Sequence, residues 1–129
     1  MDKKQTISAA CLLLSIAKAD DKIEENEIEL TREIIKDFFN LDNILSNTII
    51  DKAKNELNVA TDLFEFGKEL NKSFSYQDKI DFIFCTYEIG LADKILDNNE
   101  EYLIKKIANI LNVHNEDLIA VKSDIKKYL

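Results

Sequence analysis

The chain has 129 residues, no proline, two glycines and a formal charge of −8. That length fits one domain able to bury a core, and so little Pro and Gly leaves little room for linkers, sheet turns or disordered tails. The acidic balance argues against nucleic acid, because phosphate binding needs clustered Lys and Arg; it favours metal cations or basic protein surfaces.

Apolar residues make up 46% of the chain and charged residues a third of it (33%), a balance that suits a helical bundle. Seven helices follow from the periodicity. The first spans about residues 3–19, with Ile7, Ala10, Cys11, Leu14 and Ala17 on one face and Leu13 and Ile16 beside it. The second, 24–39, aligns Leu30, Ile34 and Phe38 and meets a stop at Asn40. Asp42 caps a third, where Leu45, Ile49, Ala53 and Leu57 align. A fourth starts near Thr61 and uses Leu63, Phe66, Gly67, Leu70 and finally Phe74.

The fifth helix opens with Ser75, whose hydroxyl can cap it, and Asp78 completes a near capping box. It runs to about residue 92 and is apolar on several sides, through Ile80, Phe82, Ile83, Phe84, Tyr87, Ile89 and Leu91. Such a helix is usually central. The sixth, 97–111, pairs Leu103, Ile107 and Leu111 with Ile104 and Ala108, and Asn112 stops it. The seventh, 115–128, uses Leu118, Val121, Ile125 and Leu129.

Residues 19–27 read ADDKIEENE and residues 92–100 read ADKILDNNE, 73 positions apart. Ala19 matches Ala92, Asp20 matches Asp93, Ile23 matches Leu96, Glu24 matches Asp97 and Glu27 matches Glu100. The expected fold is therefore all-α: one domain over 1–129, a bundle of about seven helices with an internal pseudo-twofold duplication. The copies are read at roughly 3–40 and 76–113. The first and fifth helices would form the centre. Ala17 and Gly90, small and equivalent, would let their backbones approach closely. The third, fourth and seventh helices would cover the outside.

Lys3 and Lys4, the apolar run 7–17 and Ala17-Lys18-Ala19 outline a signal peptide. The run 80–92, deep in the chain, ends in the same Ala-Asp, so a fold element explains both. No run is long enough to cross a bilayer. Cys11 and Cys85 sit in apolar runs and read as buried free thiols, and no Cys-x-x-Cys exists. His114 is the only histidine and reads as a solvated residue at a helix start. No Ser-His-Asp, Cys-His or glycine-rich phosphate motif is evident, so the chain is expected not to be an enzyme.

The repeated acidic loops have two readings. In the first they are helix starts: acid-x-x-Glu is a capping box, and acids there meet the positive end of the helix dipole. Capping accounts well for Asp97 and Glu100, and less well for the Asp repeated at 20 and 93. In the second they form a hard-cation site built from Asp20, Asp21, Glu24 and Glu27 with Asp93, Asp97 and Glu100, since carboxylate oxygens suit calcium or magnesium. It is not an EF-hand, because twelve residues counted from Asp20 or Asp93 end at Thr31 or Ile104, neither of which is a carboxylate.

The run Leu12-Leu-Leu-Ser-Ile-Ala-Lys-Ala-Asp20 with Ile23 and Glu27, its echo through Ala92, Asp93, Leu96, Asp97 and Glu100, and the stretches 103–108 and 111–113 resemble the tellurite-resistance TerB-like family. The segments 61–66, 70–71, 74–76 and 117–122 are similar to it as well. The resemblance covers nearly the whole chain. It implies an all-helical fold with an internal duplication. It also implies a divalent-cation role (calcium, magnesium, manganese or zinc) for the acidic motif residues, and a setting in tellurite or stress resistance. That setting is cytoplasmic, near the inner face of the membrane. The family pattern often has Gly after Ala-Asp; Asp21 and Lys94 stand there instead. Lys94 weakens the second loop and Asp21 strengthens the first. TerB-like domains can occur beside J-domains, but a chain without proline has no His-Pro-Asp. The alternative function is a metal-independent adaptor that binds a basic protein partner or a membrane-associated complex through its acidic surface.

Overall fold

A computed structural model describes residues 2–19, 23–60, 62–92 and 95–127. Among them are seven α-helices and no strand: α1 (Lys3–Ala17), α2 (Glu25–Phe38), α3 (Asn43–Val59), α4 (Phe64–Asn71), α5 (Tyr76–Gly90), α6 (Asn98–Ile110) and α7 (Asn115–Lys126). The expected all-helical order holds. Most ends fall a residue or two inside the expected ones, because cap residues have non-helical backbone.

The termini are set by local chemistry. At α1, Asp2 Oδ1 accepts from the Gln5 N–H at 2.9 Å. At α5, the Ser75 hydroxyl accepts from the Asp78 N–H at 3.1 Å, and Asp78 Oδ2 accepts from the Ser75 N–H at 3.0 Å. Asp42 caps α3 by accepting from the Leu45 N–H at 2.7 Å. Such caps are worth about 0.5–2 kcal/mol each. Asn40 and Asn112 end α2 and α6 with φ of 55° and 61°. The following N–H groups turn back, Leu41 to the Lys36 carbonyl and Val113 to the Ala108 carbonyl, both at 2.9 Å. This is the Schellman closure, in which a left-handed residue satisfies the last carbonyls.

The boundaries repeat. α1 and α5 begin and end 73 residues apart, and α2 and α6 begin 73 apart but end 72 apart. α3 and α7 also begin 72 apart. α6 is one residue shorter than α2, and the matching spacing reaches beyond 40 and 113 to a third helix. These offsets are what a duplicated three-helix unit would leave, with α4 joining the copies.

α1 is the centre. Its residues 5–17 are all buried, and it packs against α2, α3, α4, α5 and α6. Two of its buried hydroxyls bond locally: that of Ser15 donates to the Leu12 carbonyl at 2.6 Å and that of Thr6 to the Asp2 carbonyl at 3.1 Å. α5 lies beside α1, with α7 on its outer side. Unlike α1 it keeps one side open, through exposed Asp81 and half-buried Phe84, Cys85 and Glu88. Phe38, Phe74 and Phe82 meet with ring centroids 5.6–6.0 Å apart, tying the end of α2 and the α4–α5 joint to α5.

The small residue at Gly90 serves a different purpose from the one expected. A Cβ there would stand 2.8 Å from Leu96 Cδ1 and 3.3 Å from Ile104 Cδ1, with Ile16 Cγ2 at 3.9 Å. Most of the room is taken by side chains from its own half, with Ile16 of α1 at its edge. At the α4–α6 crossing, a Cβ on Gly67 would overlap Ile110 Cγ2. Gly67→Ala should therefore destabilise the fold: overpacking costs about 1–3 kcal/mol, against about 1 kcal/mol gained in helix propensity. A denaturant titration should show a lowered midpoint; a raised one would mean that Ile110 moves aside without cost.

Candidate functional site

The acidic helix starts resolve into caps. Glu24 is the N-cap of α2, and its N–H donates to Glu27 Oε1 at 3.1 Å. Asp97 is the N-cap of α6; Asp97 Oδ1 accepts from the Glu100 N–H at 2.8 Å, and the Asp97 N–H donates to Glu100 Oε1 at 3.1 Å. Glu100 is only 8% exposed. Burial of a carboxylate is tolerable there because it receives a backbone N–H at the positive end of a helix. Asp20, Asp21 and Asp93, with Lys94, lie outside the described residues. Among the described residues, no group of three or more His, Cys, Asp or Glu side chains could hold a metal ion. Glu24, Glu27, Asp97 and Glu100 thus fit a cation only in company with the aspartates at 20, 21 and 93.

The other singled-out residues fall elsewhere. His114 is the N-cap of α7, as expected of a helix-start residue, but its side chain makes no cap bond. Its N–H donates to Tyr76 Oη at 3.0 Å, and the two rings lie 5.3 Å apart. The Tyr76 hydroxyl in turn donates to Asp117 Oδ2. Desolvation first, then this bond, hold the phenol above its usual range. The cluster pins the start of α5 to the start of α7, a role the sequence did not suggest for Tyr76. Cys11 is buried, and its thiol faces the Ala53 carbonyl at 3.5 Å. Cys85 is only half-buried, which corrects the expectation of two buried thiols. Burial pushes each up to about 12, helped by Glu56 at Cys11 and by Glu88 and Asp81 at Cys85. Neither is a ready nucleophile, since the thiolate is the reactive form.

Cys85 lines a cleft of about 360 Å³ between α2 and α5, together with Leu30, Glu33, Ile34, Asp37, Phe38 and Glu88. Its floor is apolar and its rim carries carboxylates. Burial raises the Glu88 carboxyl above its usual range. The i, i+4 pair Glu33 and Asp37 was visible in the sequence, but its meaning depends on α5 lying alongside.

The family model described as tellurite resistance protein TerB matches residues 6–123. The chain belongs to the TerB family. Comparison with curated proteins finds no match, and comparison with solved structures finds none. TerB membership covers α1 through most of α7, so the acidic loops and the cleft both lie within the family domain. Among the described residues, no helix is long and apolar enough to cross a membrane.

Two outcomes follow for the TerB domain. Asp97→Ala should lose about 1 kcal/mol through the vacated cap, lowering Tm by about 3–5 °C, while Asp97→Asn keeps most of it; equal losses would contradict the capping role. Glu88 has a folded pKa above its unfolded one, so its ionised form opposes folding, and that cost appears as pH rises past the unfolded value. Glu88→Gln should then be more stable than the parent at pH 7, with the difference vanishing below the normal carboxylate range. Parallel thermal melts across pH check this.

Proposed function

We propose that this TerB-family chain is a non-enzymatic helical module that binds a divalent cation through the acidic segments preceding α2 and α6, in a stress or tellurite-resistance setting at the cytoplasmic side of the membrane. The observation carrying this reading is the contact between the helix ends that launch the two segments. The Gly90 Cβ position lies 3.9 Å from Ile16 Cγ2, so α1 and α5 end side by side. Asp20 and Asp93 each follow by three residues, a covalent reach of about 10 Å. Carboxylates of both copies can therefore meet on one ion. Asp20, Asp21 and Asp93 are the ligands on which this depends, with Glu24, Glu27, Asp97 and Glu100 contributing what their cap bonds leave available. Calcium or magnesium suits such oxygen donors best, with manganese and zinc as the other ions to try.

A second reading, a metal-independent adaptor for a basic partner, is supported by the carboxylate-rimmed cleft between α2 and α5. The two separate in one experiment. A cation that binds the folded chain stabilises it by about 2.7 kcal/mol at a hundredfold excess over Kd. Thermal melts with millimolar calcium, magnesium, manganese or zinc should show a rise in Tm, and Asp20→Asn with Asp93→Asn should abolish it. No shift with any of the four ions would sink the cation reading and leave the adaptor.

A further inference from the structure

The two halves of the molecule differ in what covers their first helix. α4 lies on α1 and α6. There Gly67 accepts the Ile110 side chain, and the Asn71 side-chain amide donates to the Ile110 carbonyl at 3.0 Å. Under the 73-residue offset of α1 and α5, and the 72-residue offset at the ends of α2 and α6, the equivalent groove runs between α5 and α2. Phe38 stands there in the place of Ile110, and Phe38 lines the open cleft. On α1 the positions equivalent to Asp81, Cys85 and Glu88 are Ser8, Leu12 and Ser15, and these are 3%, 0% and 8% exposed. On α5 the same face is uncovered, with Asp81 exposed and Cys85 and Glu88 half-buried. The first copy's central helix has a covering helix where the second copy's has none.

We propose that the α2–α5 groove is the docking site for an amphipathic helix of a partner protein, seated as α4 is seated on α1 and α6 and presenting Lys or Arg to Glu33, Asp37 and Glu88. The proposal rests on the adaptor reading and is independent of the cation reading. Charge complementarity selects the occupant. The groove is rimmed by carboxylates, whereas α6 carries Lys105 and Lys106 at the positions nearest to the equivalent of Glu33. The floor of Leu30, Ile34 and Phe38 takes the apolar face and the aliphatic stems of basic residues. Glu88 sits at the edge of this apolar floor, where a cationic side chain would offset its desolvation. A second copy of this chain is a poor occupant, because two chains of charge −8 repel.

The test uses the full chain, labelled with ¹⁵N, and a synthetic helical peptide of about 16 residues, long enough to hold a helix. The peptide carries Leu, Phe and Gly at the spacing of α4 with Lys on the flanks; a control peptide has Glu for Lys. The Lys peptide should shift amide signals of α2 and α5, and the Glu peptide should not. Glu33→Lys with Asp37→Lys, both at exposed positions, should weaken binding by roughly tenfold or more, and Glu88→Gln should weaken it without reversing any charge. Absence of binding by the Lys peptide at millimolar concentration overturns the proposal. So does binding undiminished by these variants, or self-association that covers the cleft. A second cleft, between α1, α3 and α4, is lined by Glu56, Glu65 and Glu69; shifts confined to it overturn the groove as the site while leaving the adaptor reading intact.

Discussion

The fold depends on the burial of α1 on every side. A helix with apolar residues all round its circumference cannot rest on one neighbour, since each face left in water forfeits about 25 cal/mol per Å². Five helices therefore surround it, and their order along the chain follows from that requirement. α2 and α3 cover it within the first copy, α4 closes a side that the copy cannot, and α5 and α6 bring the second copy against the rest. Two of the hydroxyls that enter this centre, those of Thr6 and Ser15, bond to carbonyls one turn back along their own segment. No buried charge is needed to fix the arrangement of α1.

Much of this was legible because helices announce themselves locally. The caps at Asp42 and Ser75 and the stops at Asn40 and Asn112 are single-residue signals with a mechanical reason, and the structure uses each of them. The apolar circumference of the first and fifth helices marked them as central, and α1 is the fuller case. What was not legible depends on neighbours that are distant in sequence. Nothing local indicates that Gly90 makes room for Leu96 and Ile104, or that Tyr76 bridges to His114 and Asp117. The cleft beside Cys85 exists only because α2 and α5 lie together. Of the candidate site, the capping function of Asp97 and Glu100 was legible, because the acid-x-x-Glu spacing dictates it.

The two copies show how one sequence pattern can be put to different uses. At the starts of α2 and α6 the same spacing of acids recurs, but Asp97 caps its helix where Glu24 is a weaker capping residue. At the ends the copies keep the same asparagine closure although α6 is a residue shorter. In both halves the third helix packs on the first, α3 on α1 and α7 on α5.

The position of α1 has a consequence for how the chain is made. Synthesis runs from the N-terminus, so the helix that needs the most neighbours leaves the ribosome before every helix that covers it. Its covering helices α4, α5 and α6 emerge many residues later. Until then an apolar cylinder must wait in water or in the company of a chaperone, a state prone to aggregation. Slow steps later in the chain would prolong that wait, and a sequence without a single proline removes the slowest of them, the isomerisation of peptide bonds that takes tens of seconds.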